Sequence, residues 1–245
     1  MKKLILLAAT SVLLTALPAW ADDFTPEKPA VKNNDRVEWS WDGGERARIG
    51  VPATVRYQPG GAPRVIVTGP ADILAHVEFD HGELRLDDAW RHAFSGHSNQ
   101  RLDVTLSGMT LKDVSVAGSG DIHMGDIHQD RLRLAIAGSG SFDASGKVDT
   151  LDLHIAGSGR GHLEKLDSVS LNAHIAGSGR MDVGKAEHAS FDIAGSGDVH
   201  FQDAMPNDMS THIAGSGRIT DGTGRVIDGR WRSEARERRR DDRER

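Results

Sequence analysis

Serine recurs at regular intervals in the second half of this 245-residue chain, each time between two glycines. The six copies are Ser119, Ser139, Ser158, Ser178, Ser196 and Ser216. Such a serine can belong to a phosphate-binding loop, which also needs a lysine at a helix start, or to a nucleophilic elbow, which needs a Gly-x-Ser-x-Gly frame. The repeat has neither pattern, and six equivalent serines are unlike an active site. The spacing therefore predicts a stacked row of hydroxyl groups.

Histidine and aspartate alternate at a second repeated position, three residues after each Gly-Ser-Gly. The residues are His123, Asp143, His162, Asp182 and His200, and Thr220 follows them. Imidazole and carboxylate are common zinc ligands, so these five residues are candidate metal ligands. The favoured interpretation is that they are polar side chains on a solvated strand face, because an open, flat face fixes coordination geometry poorly. No cofactor is predicted.

Both sets of residues belong to one sequence repeat. Ala-Gly-Ser-Gly begins at residues 117, 137, 156, 176, 194 and 214, so successive copies are 20, 19, 20, 18 and 20 residues apart. A constant period near 20 residues indicates a solenoid. Apolar and polar residues alternate on both sides of each copy, which is the period of a half-buried strand. The sequence predicts an all-β solenoid of about six coils whose equivalent strands pair in parallel, about 4.8 Å apart.

The glycines of the repeat are predicted to form the corner between the two strands of each coil. Glycine suits a corner because it adopts backbone conformations that other residues avoid and lets stacked chains approach closely. The structural corner residues are Gly118, Gly120, Gly138, Gly140, Gly157, Gly159, Gly177, Gly179, Gly195, Gly197, Gly215 and Gly217.

Composition divides the rest of the chain. Residues 1–21 have two lysines, an apolar stretch and a small-x-small end, which predicts a signal peptide cleaved after Ala21. Residues 22–36 are predicted to be a flexible leader, 37–106 an N-terminal β cap, 107–228 the coils and 229–245 a charged, arginine-rich tail. No other segment has the roughly 20 apolar residues that a membrane-spanning helix needs.

Charge and cysteine content exclude several classes of function. The net charge is −6, which argues against nucleic-acid binding. The chain has 0 cysteines, so disulfides, thiolate metal sites and cysteine nucleophiles are excluded. The tail is expected to be solvated, and contact with anionic groups of the cell envelope is its alternative role, since arginine suits phosphate.

The repeated Ile-Ala-Gly-Ser-Gly coils, together with Val51–Val55 and the segment Val65–Leu86, resemble the putative autotransporter adhesin head domain, also called the GIN domain. The resemblance covers roughly residues 37–222. It implies a right-handed parallel β-helix-like stack in an exported bacterial protein and an adhesive role.

These observations predict a non-catalytic envelope protein, in the periplasm or at the cell surface, that presents a repetitive surface to a glycan or protein partner. The alternative is a secreted β-helix enzyme that acts on glycans. Asp143 and Asp182 lie two coils apart, about 9.6 Å at the strand spacing, which is farther than glycosidase carboxylate pairs usually lie. No catalytic residue is therefore assigned, and the sequence leaves the ligand and the oligomeric state open.

Overall fold

A computed structural model describes residues 24–41, 44–88, 101–202 and 205–227, and the backbone of 231–232. The predicted signal peptide with its cleavage site, and the tail apart from those two residues, lie outside the described residues. The fold is nearly all-β, with 66% strand and 3% helix, and forms a solenoid of about five turns. The predicted all-β solenoid is confirmed. The sequence predicts about six coils and the structure has about five turns, because six repeated corners delimit five full turns.

One short helix, α1 (Ala71–Leu74), accompanies the strands of the described residues. The strands are β1 (Val31–Lys32), β2 (Arg36–Ser40), β3 (Arg46–Ile49), β4 (Ala53–Gln58), β5 (Arg64–Thr68), β6 (Val77–Asp80), β7 (Glu83–Leu86), β8 (Leu102–Ser107), β9 (Asp113–Gly118), β10 (Asp121–Gly138), β11 (Ser141–Gly157), β12 (Arg160–Gly177), β13 (Arg180–Val183), β14 (Ala186–Gly195), β15 (Asp198–Phe201), β16 (Asp208–Gly215), β17 (Arg218–Thr220) and β18 (Trp231–Arg232).

Equivalent residues of the repeat stack directly on one another. β10, β11 and β12 each run from one glycine corner to the next and pair in parallel. Ile136 lies opposite Ile155, which lies opposite Ile175, and the register continues through β14 to β16. The strands after the corners continue in the same way from β12 through β13 and β15 to β17. Every repeat position therefore becomes a column along the solenoid axis.

The interior of the solenoid is a stack of aliphatic and aromatic side chains. The apolar residues that alternate with polar ones point inward, so Ile155 is 2% and Phe142 1% exposed. Removing this much apolar surface from water is the main stabilising term of such a fold. Ile213, in the last coil, is only partly buried, because its column ends there.

The N-terminal cap departs from chain order. β3 and β4 form an additional rung that pairs in parallel with β9 and with the first part of β10. β7 and β8 occur later in the sequence, yet they pair on the far side of β3 and β4. β3 and β4 therefore form an inner rung, and β7 and β8 form the outer rung at the end of the stack. After β8 the chain passes back to the other side of the inner rung, where β9 begins the repeats.

Antiparallel strands close the N-terminal end of the stack. β5 pairs with β8 and β2, and β6 pairs with β7. Trp39 and Trp41 pack on Phe79, and the ring centroid of each tryptophan lies 5.7 Å from that of Phe79. These strands cover an end that would otherwise expose apolar side chains and unpaired strand edges, which is the role of a cap in a solenoid.

The leader segment contacts this cap over its described part. The Glu27 amide donates to the Phe79 carbonyl at 2.8 Å, and the Trp39 indole nitrogen donates to the Glu27 carbonyl at 3.1 Å. The Arg85 guanidinium lies over the Phe24 ring, 3.4 Å from its centroid. Residues 24–27 thus lie along the outer side of β6 and β7.

At the other end, β18 pairs antiparallel with β16, with Met209 opposite Trp231. The Ile227 amide also donates to the Ile219 carbonyl at 2.8 Å. The first tail residues therefore continue the hydrogen bonding of the last coil.

The corner glycines are required because the backbones of adjacent coils touch there. Gly157 has a φ of +121°, and a Cβ atom on it would lie 2.4 Å from the Gly138 carbonyl oxygen. That distance is far below van der Waals contact, and the carbonyl oxygen belongs to backbone that the stack holds in place. A side chain at this position would push two coils apart.

We predict that Gly157→Ala lowers the free energy of unfolding by about 3 kcal/mol, because it combines backbone strain with a clash. Gly125→Ala is the matched control, since its Cβ would lie an ordinary 3.8 Å from Ser145 Oγ. Urea denaturation of both variants measures the difference. Equal stability of the two would contradict the role assigned to the corner.

Candidate functional site

The alternating histidines and aspartates lie in one column on the outer side of the strands that follow the corners, here called the post-corner face. His123 lies opposite Asp143, Asp143 opposite His162, His162 opposite Asp182, and Asp182 opposite His200. All five belong to β10, β11, β12, β13 and β15. We call these five residues the His/Asp column.

The contacts within the His/Asp column differ from coil to coil. His123 Nδ1 lies 3.8 Å from Asp143 Oδ2, and His162 Nδ1 lies 3.6 Å from Asp182 Oδ2. His200 Nδ1 instead lies 3.0 Å from Thr220 Oγ1. The side chains of His123 and His162 are 49% and 46% exposed. Exposed pairs at these distances contribute little to stability.

Glu164 joins the column at its centre, and sequence reasoning missed it. Its Oε1 lies 3.8 Å from His162 Nδ1. The donor atoms of His162, Glu164 and Asp182 all lie within 4.8 Å of one another. Strand alternation explains the position, because residues two apart on β12 have their side chains on the same face. The sequence sign was therefore the His-x-Glu spacing of His162 and Glu164 itself. The shorter, 19-residue interval between the second and third corners is absorbed beside this pair by a register shift between Asp143 and Ser145 of β11.

A second polar column lies on the strands that precede the corners. The His154 and His174 rings stack with centroids 4.9 Å apart and planes 12° apart. His174 Nδ1 lies 3.2 Å from Asp192 Oδ2, and an Arg133 guanidinium nitrogen lies 3.3 Å from His154 Nε2. Burial lowers the pKa of His154 below its ordinary 6.5, and the positive charge of Arg133 and the neighbouring His174 lower it further.

The repeated serines are exposed at the corners. Their amides hold the stack together: Ser139 donates to the Gly118 carbonyl and Ser158 to the Gly138 carbonyl, both at 2.9 Å. The same bond recurs at Ser178, Ser196 and Ser216. The serines therefore form a row along the corner, as the repeat predicts, and their backbone contacts are structural.

A recess lies at the C-terminal end of the post-corner face. It has a volume of about 400 Å³ and is lined by Arg180, Asp182, Asp198, Val199, His200, Arg218, Thr220, Gly224 and Val226. Asp198 Oδ2 lies 3.8 Å from Arg180 Nη2, and its Oδ1 lies 3.5 Å from Arg218 Nε. We call this depression the C-terminal recess. It presents alternating cationic and anionic groups from three successive coils.

Comparison with known proteins identifies relatives by sequence and by fold. The profile of a family described as "Putative auto-transporter adhesin, head GIN domain" matches residues 48–220. None of the curated proteins compared with the chain matches it significantly.

Three solved structures resemble the fold. A putative adhesin from Bacteroides fragilis is 18% identical with a TM-score of 0.55, over 76% of this chain and 95% of that chain. A putative lipid binding protein from Parabacteroides distasonis is 18% identical with a TM-score of 0.47, over 76% and 96%. A putative adhesin from the same species is 14% identical with a TM-score of 0.48, over 76% and 95%. The first of these likenesses supports the fold.

The lowered pKa of His154 predicts a pH dependence of stability. Unfolded His154 binds a proton more readily than folded His154, so the free energy of unfolding is highest above about pH 6.5 and decreases as the pH falls toward the folded-state pKa. Besides Arg133 and His174, the carboxylates of Asp152 and Asp113 face this ring, and they act in the opposite, raising direction.

His154→Gln should reduce the loss of stability between about pH 7.5 and pH 5.5, because it removes the group whose protonation opposes folding. His212→Gln, on the same column in the last coil, is the control. Urea midpoints at the two pH values give the comparison. If both variants lose as much stability as the wild-type protein, His154 does not contribute to the pH dependence.

Proposed function

The chain belongs to the family described as "Putative auto-transporter adhesin, head GIN domain", and from this membership we propose that it is an exported, non-catalytic, adhesin-like module that binds a glycan through the C-terminal recess and the post-corner face. A protein partner at the same surface is the second candidate.

The observation that supports a glycan is the chemistry of the C-terminal recess. Arg180 and Arg218 supply donors, Asp182 and Asp198 supply acceptors, and Thr220 supplies a hydroxyl. Sugar hydroxyls both donate and accept hydrogen bonds, so closely spaced groups of both kinds suit them. A volume of about 400 Å³ falls within the usual range for small-ligand sites.

The repeat supports multivalent binding rather than catalysis. The corner serines occupy equivalent positions, and their amides donate to carbonyls of the neighbouring coil. A column of similar groups spaced about 4.8 Å apart can contact several units of a polymer at once. The competing class, a β-helix enzyme that acts on glycans, requires a unique pair of acid and base groups.

The proposed route of the protein is export. Its support is the N-terminal stretch of two lysines followed by apolar residues and Ala19-Trp20-Ala21. The family description fits an exported or cell-surface protein. In the part of the chain that the structure describes, there is no helix long and apolar enough to cross a membrane.

We expect the mature protein to begin at Asp22. Mass spectrometry of the protein recovered from the envelope and medium fractions should find this N-terminus. Deletion of residues 2–21 should leave the protein in the cytoplasm. Recovery of uncleaved protein with Met1 in the cytoplasm only would exclude export by this segment.

We expect the purified full chain to bind members of a glycan array. Replacing both Arg180 and Arg218 by alanine should weaken binding at least about tenfold, because a hydrogen bond to a charged group contributes roughly 1.5 to 3 kcal/mol. Arg131→Ala, an exposed arginine on an earlier coil, is the matched control and should bind as the wild type does.

The array and a reducing-end assay separate the alternatives. Glycan binding without release of reducing ends supports the proposed module. Turnover that a single acidic substitution abolishes would establish the enzyme instead. Absence of glycan binding, together with capture of a protein that the double arginine variant fails to capture, would favour the protein partner.

A further inference from the structure

We propose that His162, Glu164 and Asp182 form a divalent metal site of the zinc type on the post-corner face, with open coordination positions directed to solvent. This proposal concerns the metal ion alone and does not depend on the proposed glycan binding. Asp182 also lines the C-terminal recess, so an ion held there would lie at the edge of that recess.

The donor atoms already have nearly the spacing that a metal requires. Zinc binds histidine nitrogen and carboxylate oxygen at about 2.0 to 2.2 Å, so neighbouring ligand atoms of a tetrahedral site lie about 3.4 Å apart. His162 Nδ1 lies 3.6 Å from Asp182 Oδ2 and 3.8 Å from Glu164 Oε1. All three donors lie within 4.8 Å of one another. Shifts of a few tenths of an ångström would bring the two histidine–carboxylate distances to the tetrahedral value, and rotation of the Glu164 and Asp182 side chains would set the distance between the two carboxylates.

The charge of the group also favours a cation. Among the described residues, neither Glu164 nor Asp182 forms an ion pair with a lysine or arginine, and His162 is the partner of both. Asp198 on the same face is neutralised, because it pairs with Arg180 and Arg218. Two close carboxylates without a fixed cation repel each other, and a divalent ion relieves that repulsion.

Strands rather than loops hold the three ligands. His162 and Glu164 belong to β12, and Asp182 belongs to β13 in register with His162. Glu164 follows His162 by two residues on β12, so strand alternation places both side chains on the same face. The Glu164 and Asp182 side chains are 31% and 24% exposed, so an ion from solution can reach them. Rigid placement of ligands lowers the cost of binding.

A second group with suitable ligand types, Glu27, Asp80 and His81, lies in the cap. Its carboxylates already accept backbone hydrogen bonds: the Thr25 amide donates to Asp80 at 3.1 Å, and the His81 amide donates to Glu27 at 2.9 Å. These bonds attach the leader to the cap. Among the described residues, neither Glu164 nor Asp182 accepts such a bond, and this difference distinguishes the two groups.

The test is calorimetric titration of the full chain with Zn²⁺ alone, followed by Co²⁺ as a spectroscopic probe. We expect one site per chain that the wild type binds at least about tenfold more tightly than Glu164→Gln or Asp182→Asn, since lost supporting groups already cost 10-fold to 100-fold in metal sites. Bound Co²⁺ should show the visible absorption of tetrahedral coordination. Zn²⁺ should also raise the melting temperature with increasing concentration.

Asp143→Asn is the matched control, because it removes the carboxylate of the neighbouring His123 pair and leaves the three ligands in place. It should bind Zn²⁺ within about twofold of the wild type. Melting curves without metal show whether each variant folds, and His162→Gln provides an independent ligand variant should either acidic variant fail to fold. Equal affinity of the wild type and the ligand variants, or an equal loss in Asp143→Asn, would overturn the site in favour of diffuse attraction by surface charge.

Discussion

The contact between backbones at the glycine corners constrains the whole molecule. From the second corner onward, the amide of the corner serine donates to a glycine carbonyl of the coil before it, at 2.8 or 2.9 Å. The space for a Cβ atom on the first glycine of each Gly-Ser-Gly in the stack is already occupied: at Gly177 it would lie 2.3 Å from the Gly157 carbonyl oxygen. The corners therefore fix both the distance between coils and their alignment, since a shift by one residue would place a side chain in that space.

Alignment at the corner determines the chemistry of the surface. Because strands on both sides start from the same fixed point, residues at equal distance from the corner stack, and alternation sends their side chains to one side. Apolar columns fill the interior, and polar columns such as His123 to His200 cover the outside. A change in coil length between corners is absorbed by a bulge, as at Leu163 and Glu164 opposite Ala144. Regular pairing resumes after the bulge, so the next corner stays in register.

The two ends of the stack differ in structure. At the N-terminal end, the crossed order of β3, β4, β7 and β8 lets antiparallel strands cover the last rung. At the C-terminal end, a short turn with Gly224 and Val226 forms one wall of the C-terminal recess. Near this end the post-corner face carries two distinct features, the recess and the group of His162, Glu164 and Asp182. The two features share Asp182.

The sequence by itself determined the repeat, the all-β solenoid, the corner glycines and the five members of the His/Asp column. It could do so because a period near 20 residues and an alternation of two are local properties of the chain. Only the tertiary structure decided the order of rungs in the cap, since β7 and β8 pair with strands that precede them by more than 30 residues. It also decided that Glu164 and Asp182 both approach His162 and that Asp198 is shared by two arginines. These arrangements depend on side-chain conformations across neighbouring coils, and no pattern along one strand specifies where such side chains meet.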